Sequence, residues 1–299
     1  MPDASPTDDH GWIRIASDHL SAAINPHGAE LSSLTDAAGR ELMTDADPRW
    51  WSGRAPILFP VVGKPANETI RVDGRDYPMK QHGFARRRDF TVVAAEPTRA
   101  VFALTDDAET RASYPFAFRL EVGFSLNGAT LDIQVTVNNP GDVPLPASFG
   151  FHPAFAWPLP YGAPREEHRV TFADDEPEAL RVLNGDGQIS GEERPSPLEG
   201  RTLHLSGDLF AHDALIWDRV RSQSVRYGAP HGPALEIAFP DTPMLGIWSK
   251  PGAPFVCVEP WHGIADPAGF TGEYRDKPGV FTIPPGGEKR IAMSVTLTA

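Results

Sequence analysis

The chain is short of cysteine, of positive charge and of long apolar runs, and each shortage removes a class of function. Among 299 residues there is a single cysteine, Cys257. No internal disulfide can form and no multi-cysteine metal cluster can be assembled, which suits a reducing compartment. No run of about eighteen apolar residues is present to form a membrane-spanning helix. The first ten residues, Met-Pro-Asp-Ala-Ser-Pro-Thr-Asp-Asp-His, lack the basic and apolar regions of a secretory signal. A soluble, cytoplasmic protein is the expectation. Lysine and arginine number 27 against 40 aspartates and glutamates, for a net charge of −13. A field of that sign repels polyanions, so neither nucleic acid nor an anionic membrane surface is an expected partner.

Helical periodicity is scarce as well, and no repeat of fixed length occurs. Neither a phosphate-cradling glycine loop nor a strand-helix alternation is present, which leaves nucleotide use unsupported. The histidines lack the paired spacing of helical zinc sites. Asn184-Gly-Asp-Gly-Gln-Ile189, ending in Glu193, imitates the later half of a calcium-binding loop. Val182 stands where its first carboxylate should be, so the segment reads as a β-turn. No metal and no cofactor are expected.

What the sequence does have is turn residues and alternation. Its 31 prolines and 27 glycines imply many turns. Apolar residues recur at period two through Phe116, Phe118, Leu120, Val122, Phe124 and Leu126, and again through Leu131, Ile133, Val135 and Val137, as in half-buried strands. Asn127-Gly128 and Asp73-Gly74 suit tight hairpins between flanking strands. The stretch from Pro158 to Arg201, rich in Pro, Gly and acidic residues, reads as a long excursion carrying a hairpin of its own. Apolar alternation resumes on both sides of it, which favours a single all-β domain over residues 1–299.

Four segments combine chemically able side chains with aromatic, Pro and Gly neighbours: Arg54-Ala-Pro-Ile-Leu-Phe-Pro-Val-Val-Gly-Lys64, Gln81-His-Gly-Phe-Ala-Arg86, Phe149-Gly-Phe-His-Pro-Ala-Phe155 and Val258-Glu-Pro-Trp-His-Gly263. The first reads as an apolar, strand-like run with a cation at each end. Taken singly, each has a structural reading. His152 and His82 suit a core or turn position, Trp261 and Phe155 suit the core, and Glu259 suits an exposed strand end. A carboxylate after a buried apolar run otherwise needs a partner.

Taken together, five blocks in order resemble the aldose 1-epimerase (galactose mutarotase-like) family, in particular its bacterial LacX-related branch. They are Ala55–Gly63, Gln81–Arg86, Phe151–Phe155, His212-Asp-Ala-Leu-Ile216 and Cys257-Val-Glu-Pro-Trp261. The resemblance implies a β-supersandwich of large antiparallel sheets with few short helices, and a sugar cleft across one sheet. By position it implies His152 as general acid, Glu259 as general base, and His82 and Asp213 as sugar ligands. Arg54, Lys64, Arg86, Phe155 and Trp261 are further candidates for lining the cleft. Lys64 departs from the arginine found there in many relatives and offers a point charge in place of a planar fork. The implied activity is anomerisation of a free aldose without a cofactor, with a small sugar as partner; the net charge of −13 permits a monomer or a homodimer. A hexose 6-phosphate substrate is the alternative suggested by Arg54, Lys64, Arg86, Arg87 and Arg88, although on a strand the three consecutive arginines could not all face one phosphate. A non-catalytic sugar binder is the third.

Overall fold

The computed structural model describes residues 7–299. It is all-β, built on two large antiparallel sheets, with one short α-helix at Ala108–Ser113. The nine-stranded sheet runs, from one edge to the other, Thr202–His204, Arg169–Phe172, Ser224–Gly228, Ala234–Ala238, Glu288–Thr298, Thr130–Asn138, Arg119–Asn127, Arg99–Thr105 and Thr91–Glu96. Its centre is the alternating pair expected from the sequence: Arg119–Asn127 buries every second residue. The hairpin loop is shifted by one residue from the expected pair, because Asn127 pairs with Thr130 and leaves Gly128 and Ala129 as the turn. Gly128 takes the positive φ of +57° that the turn demands. At the other expected hairpin both Asp73 and Gly74 have positive φ, between Thr69–Val72 and Arg75–Pro78.

The seven-stranded sheet is organised around Phe255–His262. This strand pairs with Met244–Trp248 on one side and with the short Phe149–Gly150 and Ala154–Ala156 on the other. Beyond Met244–Trp248 come Leu215–Trp217 and the Leu180–Leu183/Ile189–Arg194 hairpin, the one anticipated within the Pro158–Arg201 excursion. Strand alternation divides the residues of this sheet between two faces. Val256, Val258, Leu245, Ile247, Leu215 and Trp217 join the main apolar cluster together with Leu120, Val122 and Val135 of the larger sheet. The opposite face carries Phe255, Cys257, Glu259 and Trp261, and it is on this face that the cleft opens.

The Arg54–Lys64 run differs from its expected form. It is not a strand but an irregular segment with isolated bridges from Leu58 to Gly150 and from Phe59 to Gly83. Its residues from Ala55 to Val62 are buried nonetheless, Leu58, Phe59 and Val61 completely. A buried ion pair braces its far end. Lys277 Nζ lies 2.8 Å from the Asp266 carboxylate, which accepts the Ala66 amide, and Lys277 also donates to the Val62 carbonyl.

Candidate active site

His152 and Glu259 face one another because of strand register. Gly150 pairs with Trp261 and Ala154 with Cys257, so position 152, in the break between the two short strands, falls opposite position 259. The break is closed by two hydrogen bonds, from the Phe151 amide to the Pro260 carbonyl and from the Val258 amide to the Pro153 carbonyl. His152 Nε2 lies 3.2 Å from a Glu259 carboxylate oxygen, with both side chains buried. Glu259 therefore stands mid-strand and is not the exposed strand end that one reading allowed.

On its other side Glu259 pairs with Gly246. That position needs a glycine, since a Cβ there would meet the Trp261 ring at 2.3 Å. A Cβ at Gly150 would meet the same indole at 2.6 Å. The Trp261 ring is thus seated between two glycines of adjacent strands and turned along the cleft. Over His152 lies Trp51, stacked at a ring-centroid distance of 4.9 Å and an interplanar angle of 25°. Trp248 meets His152 edge-on at 6.0 Å and His82 does so at 5.9 Å.

His82 reaches the site from a backbone of positive φ, +62°, followed by Gly83, whose missing Cβ lets the chain press against the Phe59 carbonyl. The His82 amide donates to the Gly63 carbonyl, and the Gly63 amide donates to His82 Nδ1 at 3.2 Å. That second bond makes Nδ1 the acceptor and Nε2 the protonated nitrogen of the neutral ring, and Nε2 lies 3.2 Å from the Gln81 side-chain amide. Asp213, also at positive φ (+72°), is exposed at the rim and accepts the Ala214 amide.

The cleft holds about 520 Å³ and is lined by His82, His152, Asp213, Glu259, Trp261, Lys64 and Arg86 of the expected residues. Arg54 and Phe155 are not among them. The Arg54 guanidinium turns away to donate to the carbonyls of Thr44 and Asp45. Phe155 is fully buried, because register places it beside Val256 on the core face of the sheet. Of the three consecutive arginines only Arg86 lines the cleft. Arg86 and Arg87 lie in a 3-10 turn, Ala85–Arg87, in place of a strand, and Arg88 follows it. Arg87 donates to the Gly83 carbonyl, and Arg88 pairs with Asp107 and Glu109. Sequence reasoning missed Trp51 and Trp248 in the lining, and Leu183 with the turn Gly185–Gly187. The Trp50-Trp51 dipeptide just ahead of the first motif was the available signal. The Asn184–Gln188 turn is the β-turn expected there, with Asn184 Oδ1 accepting from the Asp186 and Gln188 amides.

Burial governs the electrostatics. It pushes His152 down to about 3 and His82 well below the usual imidazole range, where the neighbouring His152 adds to the effect. It raises the Glu259 carboxyl well above the carboxylate range, with the Asp213 charge acting in the same direction. Each group thus favours its neutral form, and at 3.2 Å the two titrate as a pair. Burial lowers Arg86 to about 10, with Arg87 adding to it, and its Nε has no hydrogen-bond partner. Among the described residues, one group of three metal-capable side chains is close enough to share an ion: His152, Cys257 and Glu259.

The aldose 1-epimerase family model matches residues 12–274. The chain belongs to this family. Among relatives of this aldose 1-epimerase family member, the chromosomal LacX protein of Lactococcus lactis subsp. lactis is 30% identical over 295 residues, 95% of this chain and 99% of that protein. A galactose mutarotase-like protein from Lactobacillus casei has a solved structure that is 32% identical with a TM-score of 0.90, covering 96% of this chain and 100% of that one. A galactose mutarotase related enzyme from Lactobacillus acidophilus is 31% identical with a TM-score of 0.88, covering 96% and 97%. The galactose mutarotase-like fold expected from the motifs is thus shared with both structures, and the family is one that binds sugars.

Proposed function

We propose that the protein is an aldose 1-epimerase that interconverts the α and β anomers of a free aldose. The observation that carries this reading is the His152–Glu259 contact of 3.2 Å on the floor of a cleft lined by polar and aromatic side chains. Ring opening requires the C1 hydroxyl to lose a proton, the bond from C1 to the ring oxygen to break with its electron pair on oxygen, and that oxygen to gain a proton. The pair reaches its imidazolium–carboxylate form when the carboxyl proton crosses the 3.2 Å from Glu259 to His152. Glu259 then takes the C1 hydroxyl proton while His152 protonates the ring oxygen. The result is an open-chain aldehyde beside a neutral pair, the form that burial favours. After rotation about the bond from C1 to C2, both transfers reverse and close the ring on the other face. Such positioned proton transfers typically contribute about 10²- to 10⁴-fold each. His82 and Asp213 hold sugar hydroxyls in this reading, and the Trp51, Trp248 and Trp261 rings cover the apolar sugar face.

Polarimetry on freshly dissolved α-glucose and α-galactose tests the proposal. Wild-type protein accelerates the decay of rotation, and Glu259→Gln loses about 10²-fold or more of that rate. A rate equal to the blank for every free aldose tried removes the reading, and an unimpaired Glu259→Gln removes the assigned base.

A second reading, a hexose 6-phosphate substrate, is favoured by the unpartnered Nε of Arg86 in the cleft. Against it, Lys64 and Arg86 are matched there by Asp186 and Asp213, so the lining has no excess of cations to hold a dianion. Glucose 6-phosphate anomerising faster than glucose, with Arg86→Met abolishing the difference, would select the phosphorylated substrate.

A further inference from the structure

Three donors of different chemistry meet at the cleft: the His152 imidazole and the Glu259 carboxylate, which line it, and the fully buried Cys257 thiol, which does not. One ligating atom of each lies within 4.8 Å of the others. The grouping follows from the strands. Cys257 and Glu259 are two residues apart and project from one face, and register puts His152 opposite Glu259. All three are buried, and His152 Nδ1 has no hydrogen-bond partner. Proton transfer to and from a sugar uses His152 and Glu259 and assigns nothing to Cys257.

We propose that these three side chains form a binding site for a thiophilic divalent cation of the Zn²⁺ type, whose occupancy blocks the acid–base pair. The nitrogen-to-oxygen distance of 3.2 Å already matches the roughly 3.3 Å between such ligands on a tetrahedral ion with bonds of ~2.0–2.1 Å. The sulfur closes by at most about 1.2 Å to reach its own tetrahedral distance of roughly 3.6 Å. The fourth position is left to water or a sugar hydroxyl entering from the cleft that His152 and Glu259 line. Charge balances as well. Binding expels the thiol proton and the proton held by the His152–Glu259 pair, so that a thiolate, a carboxylate and a neutral imidazole cancel the two positive charges. A neutral complex is what a buried site tolerates. Hard cations such as Mg²⁺ are excluded, since they require about six oxygen ligands in near-ideal octahedral geometry. The binding claim stands on the three donors alone. Its inhibitory consequence rests on the epimerase reading.

The test is a titration of the tag-free, full-length protein with Co²⁺ alone, followed by absorbance. A thiolate-to-cobalt charge-transfer band saturating at one equivalent is expected, and because Cys257 is the only cysteine the band has a single possible source. Zn²⁺ displaces the Co²⁺ and removes the band. Cys257→Ser abolishes the band, whereas His152→Gln retains it. Each weakens Zn²⁺ binding in calorimetry by at least about tenfold, since losing even an outer-shell partner of a metal ligand typically costs that much. No band at stoichiometric Co²⁺, or Zn²⁺ affinity indifferent to both substitutions, overturns the site. A band in a protein that accelerates no anomerisation upholds the metal site while removing the epimerase reading. An active epimerase without the band does the reverse.

Discussion

Replacing Gly246 with alanine separates the glycine register from ordinary strand chemistry. Gly246 is buried in the middle of a strand, where alanine would ordinarily be tolerated or mildly preferred. Here the added methyl would stand 2.3 Å, 2.6 Å and 3.0 Å from three atoms of the Trp261 ring. The ring cannot slide sideways, because it is pressed against Gly150 of the opposite neighbouring strand, where a Cβ would meet the same indole at 2.6 Å. Its one exit is outward into the cleft, over the space beside Glu259. Forcing a methyl into a packed site of this kind costs about 1–3 kcal/mol. Urea unfolding followed by fluorescence would therefore show a lower midpoint, and polarimetry would show a raised KM for the sugar, since the displaced indole occupies substrate volume. Equal midpoints and equal KM for Gly246→Ala and wild type would refute the claim that the two glycines seat this ring.

Trp51→Leu removes the aromatic face stacked on His152 and should lower kcat about 2- to 30-fold, the equivalent of ~0.5–2 kcal/mol of cation–π support for the imidazolium; an unchanged rate and pH profile would assign Trp51 to the wall alone. Lys277→Met leaves the buried Asp266 carboxylate without its cation and should cost about 3–5 kcal/mol in urea unfolding, part of which Asp266→Asn in the same chain restores. Burial, with Lys289 nearby, lowers His262 from 6.5 to about 4, so between those values the unfolded chain binds the extra proton. The stability tied to this group is complete above pH 6.5 and is lost as pH falls toward 4, by up to ~3 kcal/mol. His262→Asn should flatten the slope of unfolding free energy in that window, and an unaltered slope would place the pH sensitivity elsewhere.

The parts of the fold legible in the sequence were those governed by neighbours along the chain. Alternation through Leu120–Leu126 and Leu131–Val137 marked the central hairpin because side chains on a strand take opposite faces in turn. Asp73-Gly74 marked another because few residues tolerate its backbone angles. The Arg54–Lys64 run misled for the same reason. It is apolar enough for a strand, but its residues are buried by packing against Gly83 and Gly150, contacts that no local pattern encodes.

For the site, the sequence by itself determined which rare, chemically able residues were available: His82, His152 and Glu259, each beside a Pro, Gly or aromatic neighbour, with Asp213 added by the family resemblance. It could not say where their side chains point. Phe155 and His152 belong to one motif, yet register turns the first into the core and the second toward Glu259. Arg86 and Arg87 are adjacent, yet only one of them lines the cleft. The pairing of strands far apart in the chain brings residues 152, 246 and 259 into one row. The free energy that selects this register comes from burying the apolar face of the sheet, a cost and gain summed over the whole core and visible only when the chain is folded.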